Sequence, residues 1–198
     1  ENLEFAFDDK LGYLTQCPTN LGTGMRASVM LHLPALEKSR TIGRIAGNLS
    51  KLGLTIRGAY GEGSEPSGSL YQLSNQVTLG ISEKAAIENL ENITKQLVSQ
   101  EQQARERLAK SIDIQDSVSR SLGLLKSAMV MTHDEALKLL SNVRFGILSG
   151  QIKDVTAEVV DSLMEKIEPA TLMVNSGKNL SAQERDIERA KILREALS

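Results

Sequence analysis

The chain has 198 residues, of which 40% are hydrophobic and 24% charged, and its net charge is −2 at pH 7. This length supports one core, or one core with a small further module, in a globular protein of ordinary composition. The slight negative charge and the aromatic content of 3% argue against a nucleic-acid binder that works through bulk charge or base stacking. One cysteine excludes an internal disulfide, and with only two histidines, far apart, it also excludes the usual zinc patterns.

The sequence also lacks the signals of a membrane protein. No apolar run approaches the roughly 20 residues of a membrane-spanning helix, and no signal peptide is recognisable. We therefore expect a cytoplasmic protein without membrane contact. The sequence starts directly in strand-like residues, ENLEFAFDDKLGYL, which predicts a chain cut from something longer.

The first half of the sequence predicts strands and one helix joined by glycine-rich turns. From Arg26 to Leu33 apolar and polar residues alternate, so we expect a strand with Arg26 and His32 on its polar face. Ahead of it, the stretch QCPTNLGTGM consists of loop-forming residues. The other expected elements are a turn at Asp8–Asp9 between strand-like residues, a helix from Pro34 to about Leu52 ended by Gly53, and strands at 54–57 and 70–79 around a loop rich in Gly and Ser.

Beyond Gly80 the pattern becomes entirely helical. Apolar residues recur at helical spacing, and two capping boxes, Thr132-x-x-Glu135 and Ser181-x-x-Glu184, mark helix starts. The expected helices run from Ser82 to about Lys110, Ile114 to Ala128, Thr132 to Leu148, Val155 to Lys166, and Ser181 to near Ala196. A sheet-bearing half followed by a helical half predicts the α+β class, with domains at 1–112 and 113–198.

Two arginines of the first half could bind phosphate. Arg26 stands on a polar strand face and Arg57 at a strand end, and a planar guanidinium binds pairs of phosphate oxygens. Phosphoryl transfer depends mainly on positioning and positive charge. Glu62 could close over a cationic acceptor, and nearby cations or backbone N–H groups could stabilise a Cys17 thiolate. Without further information, solvated arginines, a buried cysteine and an ordinary loop remain the alternative interpretation.

Four motifs of the first half occur in a fixed order. They are Cys17-Pro18-Thr19-Asn20-Leu21-Gly22-Thr23, Arg26-Ala27-Ser28-Val29, Arg57-Gly58-x-x-Gly61-Glu62 and Tyr71-Gln72-Leu73-Ser74-Asn75. In residue identity, order and spacing they resemble the motifs of the ATP:guanidino phosphotransferases, the phosphagen kinases, over about residues 3–110. Within that family, the segments GYLTQCPTN, RGAYGEGSE and YQLSNQVTLG are most similar to the bacterial protein arginine kinases, which phosphorylate arginine side chains of proteins.

The resemblance implies a fold and roles for individual residues. The fold would be the C-terminal part of a phosphagen-kinase catalytic domain, a largely antiparallel sheet flanked by helices, followed by an all-helical domain. ATP would be the phosphate donor, with Mg²⁺ held mainly by the nucleotide. Cys17 and Glu62 would be catalytic, with Cys17 beside the guanidinium acceptor. The nucleotide-binding residues would be Arg26, Ala27, Ser28, Val29, Met30, Arg57, Gly58, Ala59, Tyr60, Gly61 and Glu62, with the two arginines on the phosphates.

The resemblance also implies a missing part. The family's other phosphate-binding arginines, and its catalytic acidic residue in an Asn-Glu-Glu-Asp-like loop, would lie upstream of this sequence. We therefore expect the chain alone to transfer phosphate poorly or not at all.

The last predicted helix carries the sequence RDIERA. Arg185 and Arg189 share a face and could take the phosphate of a phosphoarginine, while Asp186 accepts hydrogen bonds from its guanidinium. A solvated helix with ion pairs is the alternative. The sequence is similar to the RDxxRA motif of the protein arginine kinases, which implies an allosteric phosphoarginine site. Its residues would be Arg185, Asp186, Ile187, Glu188, Arg189 and Ala190.

Three functions remain open at this point. The chain could be part of a protein arginine kinase, or a non-catalytic module that binds phosphoarginine and docks partners. A small-molecule guanidino kinase is disfavoured by the long helical extension. By resemblance, the partners would be protein substrates with exposed arginines, phosphoarginine, a zinc-finger activator protein, the Clp unfoldase machinery that recognises phosphoarginine-marked proteins, and a second copy in a homodimer.

Overall fold

The computed structural model of the chain describes residues 4–59 and 66–198. It divides into two compact units, one made of residues up to Pro66 with Leu70–Gln102 and the other of Ser67–Ser69 with Gln103–Ser198. Within the described residues, all strands lie in the first unit and the second contains only helices, which agrees with the predicted α+β class. The predicted domain boundary at residues 112–113 stays a prediction.

The first unit is built on a three-stranded antiparallel sheet. In the order β3-β5-β4 it contains Ser28–His32, Leu70–Asn75 and Leu54–Gly58. The predicted alternation along β3 is confirmed, because Leu31 is 8% exposed whereas its neighbour Met30 is 51% exposed. The register pairs Arg57 of β4 with Gln72 of the central strand β5. The same residues of β5 also pair with β3, so β5 lies between the other two strands. A short hairpin of β1 (Phe7–Asp8) and β2 (Gly12–Tyr13) precedes the sheet.

The predicted single helix over 34–52 is wrong in one respect, since it is two helices. α1 spans Pro34–Lys38 and α2 spans Ile42–Lys51. Between them Arg40 has a φ of 55°, and both the backbone N–H and the hydroxyl of Thr41 bond the Leu36 carbonyl, at 3.0 and 2.9 Å. A left-handed residue with such a backward hydrogen bond is a common way to end a helix.

A buried carboxylate from another helix caps α1. Helix α3 (Glu83–Leu108) carries Glu101, which is 4% exposed. Its two oxygens accept the backbone N–H groups of Ala35 and Leu36, each at 2.9 Å. The first turn of any helix leaves N–H groups without intrahelical partners, and the residue before α1 provides no side-chain cap. Glu101 therefore supplies the cap from a position far along the chain.

The second unit is a bundle of short helices. These are α4 (Ile112–Ser127), α5 (His133–Leu148), α6 (Ala157–Lys166), α7 (Pro169–Ser176) and α8 (Ala182–Leu197). Both predicted capping boxes start helices as expected: the Thr132 side chain accepts the Glu135 N–H, and Ser181 and Glu184 cap each other. In the described part of the chain, no helix is long and apolar enough to cross a membrane.

Helix α7 was not predicted from the sequence pattern. This helix has only eight residues, too few for an apolar stripe to repeat convincingly. Its signals are local instead: Pro169 stands in the first turn, and Gly177, with a φ of 63°, ends it in the left-handed conformation.

Candidate functional site

Arg26 and Arg57, the two predicted phosphate-binding residues, line one cavity of the first unit. Its volume is about 530 Å³. The sheet explains why they meet, because β5 pairs with both β3 and β4, and Arg26 lies just ahead of β3 while Arg57 lies within β4. The remaining lining residues are Thr19, Asn20, Gly24, Met25, Asn75, Gln76 and Thr78.

Two buried residues at the end of β5 hold the segment around Arg26. The guanidinium of the exposed Arg26 donates through Nη2 to Oγ of Ser74 at 3.0 Å. Asn75, 5% exposed, accepts the Ala27 backbone N–H at 2.8 Å. Its amide nitrogen donates to the carbonyl oxygens of Met25 and Val77, each at 3.1 Å. The backbone on both sides of Arg26 is therefore fixed by one side chain.

The loop ahead of Arg26 rests on the chain that follows β5. The buried Thr78 hydroxyl lies 2.7 Å from the Leu21 carbonyl oxygen and 3.1 Å from that of Thr19. The Thr78 carbonyl accepts the Thr23 N–H at 3.0 Å. Gly22 makes this close approach possible, because a Cβ there would lie 2.2 Å from the Thr78 carbonyl oxygen, and its φ of 101° disfavours other residues. Segment 75–78 thus forms one wall of the cavity and supports another.

Cys17 lies at the start of this loop, near the cavity but not on its wall. The side chain is exposed, and its sulfur lies 2.9 Å from Oγ1 of Thr19, which does line the cavity. Hydrogen bonds from the Thr19 side chain, and secondarily from its backbone, lower the pKa of the Cys17 thiol below its ordinary value. They stabilise the thiolate, which is the reactive form.

Replacing Thr19 by valine is expected to raise the pKa of Cys17, because the side-chain hydrogen bond that favours the thiolate is lost while the backbone one remains. A smaller fraction of thiolate at a given pH slows alkylation. The rate of reaction with iodoacetamide, measured from pH 6 to 10, should shift to higher pH. Thr171→Val, on α7, is the control, and an unshifted profile for Thr19→Val would show that the hydroxyl is irrelevant to the thiol.

The structure brings only some of the predicted nucleotide-binding residues onto the cavity wall. Arg26 and Arg57 are there. Ala27 precedes β3, which contains Ser28, Val29 and Met30, and Gly58 ends β4 with Ala59 after it. Tyr60, Gly61 and Glu62 lie outside the described residues. The motifs did not identify Asn75, Gln76 and Thr78 as site residues, although Asn75 ends one of the four motifs. The hydrogen bonds that place Asn75 in the site join it to residues 48 and 50 positions earlier, so no local pattern marks it.

The RDIERA segment on α8 contains a buried arginine, Arg189. This side chain is 1% exposed and donates to the carbonyl oxygens of Ile167 at 3.1 Å and Met131 at 2.9 Å, and to Asp186 at 2.5 Å. The Met131 N–H in turn donates to the Asp186 carbonyl at 3.1 Å. The buried Arg189 holds Asp186 in place, and its predicted contact with a phosphate stays a prediction.

The other RDIERA residues are more accessible. The Asp186 side chain is 25% exposed, and Ile187 is 44% exposed. Arg185, half-buried, donates to the Leu180 carbonyl at 2.9 Å. A cleft of about 320 Å³ lies beside this surface, lined by Ser176, Lys178, Leu180, Glu184, Ile187 and Glu188. Ala190 is buried and packs into the core of the unit.

Comparison with known families places both halves of the chain. Residues 1–104 match the family model of the ATP:guanido phosphotransferase C-terminal catalytic domain. The chain belongs to the ATP:guanido phosphotransferase family. Residues 111–198 match a second model, the protein-arginine kinase McsB C-terminal domain, which confirms the resemblance seen in the motifs.

Similar proteins include several that bear the name protein-arginine kinase. The one from Halothermothrix orenii is 52% identical over 100% of this chain and 57% of its own length. The one from Clostridium acetobutylicum is 49% identical over 100% of this chain and 58% of its own length. The chain therefore spans less than two thirds of these curated relatives.

Two solved structures are similar to about half of the chain. A lombricine kinase is 37% identical over 54% of this chain and 28% of its own, with a TM-score of 0.46. The duplicated taurocyamine kinase from Schistosoma mansoni, with bound components of a transition-state analogue, is 42% identical over 48% of this chain and 13% of its own, with a TM-score of 0.41.

Proposed function

We propose that the chain forms part of a protein-arginine kinase, which transfers the γ-phosphate of ATP to arginine side chains of proteins. The observation that carries the proposal is the meeting of Arg26 and Arg57 in one cavity, in a chain whose relatives are named protein-arginine kinases. Two guanidinium groups there would bind and neutralise the phosphates. A volume of about 530 Å³ is within the range of small-molecule sites.

The chemistry proposed for this cavity is electrostatic. Phosphoryl transfer develops charge on the moving group, and fixed cations that surround it lower the barrier. The described residues contain no group of three or more His, Cys, Asp or Glu side chains suited to a metal ion. In the proposal, Mg²⁺ is held mainly by the phosphates of ATP, as the resemblance to the phosphagen kinases implies.

Further residues are proposed for the nucleotide and the acceptor. Residues 27–30 and 58–61 would line the nucleotide beyond the cavity wall. A thiolate at Cys17 would attract the guanidinium of the acceptor, and Glu62, which lies outside the described residues, would accept its N–H groups. Because the chain spans 57% of its relative from Halothermothrix orenii, we propose that full activity needs the rest of such a protein and that the chain alone transfers phosphate poorly.

The test is ATP affinity, measured by titration calorimetry on this chain. Arg26→Ala and Arg57→Ala are each expected to weaken ATP binding about tenfold, the equivalent of one charge-assisted hydrogen bond. Arg44→Ala is the matched control, since Arg44 lies on α2 beside a different groove. If the double variant of Arg26 and Arg57 binds ATP as tightly as the parent chain, the proposed nucleotide site is wrong.

A second candidate function is the recognition of phosphoarginine by α8. The accessible carboxylate of Asp186, held in place by Arg189, favours it, because an aligned carboxylate can accept two N–H bonds from a guanidinium. Arg185 would contact the phosphate, with Ile187 and Glu188 at the edge of the adjacent cleft. Equal binding of phosphoarginine and arginine peptides, or unchanged affinity in Arg185→Ala and Asp186→Asn, would contradict this role.

The remaining parts of the proposal follow from the resemblance to the protein arginine kinases. The substrates would be proteins with exposed arginines, which phosphorylation would mark for Clp-dependent degradation. A zinc-finger protein would act as activator, and the chain would work as a homodimer in the cytoplasm. Co-purification with the tagged chain at native expression level would test each partner separately.

A further inference from the structure

Phosphate binding by Arg26 carries an entropic cost. Its side chain is exposed, and a free arginine loses up to about 2 kcal/mol of rotamer entropy when it is fixed. It also precedes β3, so no strand pairing fixes its own backbone. Ordering the residue before the ligand arrives removes much of this cost, which is the general advantage of a preorganised site.

We propose that Ser74 and Asn75 are positioning residues that hold Arg26 ready for the phosphates of a nucleoside triphosphate. Ser74, 1% exposed, accepts from the tip of the guanidinium at 3.0 Å. Asn75 fixes the base of the side chain through the N–H of Ala27 and the carbonyl of Met25. This inference rests on the proposed function, since it concerns the same cavity.

Asn75 suits this task because both its amide nitrogen and its oxygen are engaged in hydrogen bonds to backbone groups. Both amide hydrogens are used, on the Met25 and Val77 carbonyls, and the oxygen accepts from Ala27. An asparagine offers donors and an acceptor within one short side chain, so aspartate, leucine or alanine would each remove some of these bonds to part-buried backbone groups. The contacts bind together three backbone segments, one on each side of Arg26 and one after β5. The residue itself does not need to touch the ligand.

A double-mutant cycle on the full chain tests the proposal. Asn75→Ala is expected to weaken ATP binding about tenfold and Ser74→Ala about threefold, while the affinity for adenosine, which has no phosphate, stays unchanged. In an Arg26→Ala background, Asn75→Ala should have no further effect on ATP affinity, because residues that act through one another are not additive. Asn48→Ala, an exposed asparagine on α2, is the matched control.

Two results would overturn the proposal. One is a parallel loss of ATP and adenosine affinity, which would show a general structural role. The other is an effect of Asn75→Ala that persists in full when Arg26 is absent. If Asn75→Ala does not fold, Ser74→Ala, which removes only a hydroxyl, decides by the same criteria.

A measurement without nucleotide separates this inference from the proposed function. The order parameter of the Arg26 Nε–H group, from nuclear magnetic resonance relaxation, should exceed that of Arg44 and fall below about 0.6 in Asn75→Ala and Ser74→Ala. If the chain binds no ATP but this loss of order occurs, the positioning role stands and the nucleotide assignment fails. An Arg26 that is equally mobile in the parent chain and both variants would refute the positioning role.

Discussion

Replacement of Arg189 by methionine is expected to lower the free energy of unfolding of the second unit by about 3–5 kcal/mol. The side chain is 1% exposed and donates to the backbone of Met131 and Ile167 as well as to Asp186. Methionine has a similar length but no donor, so two carbonyl oxygens and a half-buried carboxylate lose their partner. Each buried carbonyl left unpaired costs about 1–3 kcal/mol, which brings the sum into this range.

The loss can be measured as faster amide hydrogen exchange of α8 in the full chain, which reports the stability of that unit directly. Lys191→Ala on the same helix is the control. Its side chain is 53% exposed, and its ion pair with Glu188 is long at 3.9 Å, so a change within about 0.5 kcal/mol is expected. A loss below about 1 kcal/mol for Arg189→Met would mean that water hydrogen-bonds to the three acceptors in place of Arg189, and that the Arg189 side chain is not buried in solution.

The second large effect is expected at Glu101. Alanine at this position should destabilise the first unit by about 2–4 kcal/mol, because the N–H groups of Ala35 and Leu36 lose their acceptors where both residues are buried. Capping losses on solvent-exposed helices are nearer 1 kcal/mol. The larger value follows from burial, since water cannot reach the start of α1.

Two variants of α3 make this test specific. Glu101→Gln keeps one acceptor oxygen and should lose about half as much stability as Glu101→Ala. Glu91→Ala removes an exposed carboxylate whose contact with Lys95 is 4.0 Å, and should be near neutral. Hydrogen exchange of the α1 and β3 amides gives the free energies, and equal losses for Gln and Ala would exclude capping as the cause.

The features that could be predicted from the sequence are those with a local cause. The faces of β3 follow from strict alternation between Arg26 and Leu33, and the starts of α5 and α8 follow from capping boxes of four residues each. The end of α2 follows from Gly53, whose φ is 70°. In each case the signal and the structure it causes lie within a few residues of one another.

What could not be predicted depends on contacts between distant residues. Helix α1 ends early because Arg40 adopts a left-handed conformation, and no glycine or asparagine at that position predicts it. Its start is capped by Glu101, which lies 66 positions further along the chain. Arg189 looked like a surface residue, because the pattern of charges on α8 gives no sign that carbonyls of two other segments surround it. Arginine on a charged helix is usually solvated, and only the packing of Met131 and Ile167 against it overrides that expectation.

The candidate site likewise combines residues that local motifs predicted with residues whose role depends on distant contacts. The motifs identified Arg26 and Arg57, and the pairing of β5 with two strands brings them to one cavity. Asn75 was not predicted as a site residue because its hydrogen-bond partner, Ala27, lies 48 positions earlier in the chain. A hydrogen bond of that range has no periodicity or spacing that a single sequence could reveal.

The close contact between Gly22 and the Thr78 backbone limits which residues can replace the glycines in the loop ahead of Arg26. A methyl group at residue 22 would overlap the Thr78 carbonyl oxygen, whereas one at Gly24 would meet its nearest neighbour, in Tyr13, at 3.7 Å. Both glycines have a positive φ, so the backbone penalty applies to each, but steric exclusion applies to Gly22 alone. In a randomised library of this loop, asparagine should survive at position 24, while position 22 should return only glycine. Mutational tolerance here is decided by the space beside the backbone, and two glycines that look interchangeable in the printed sequence are not.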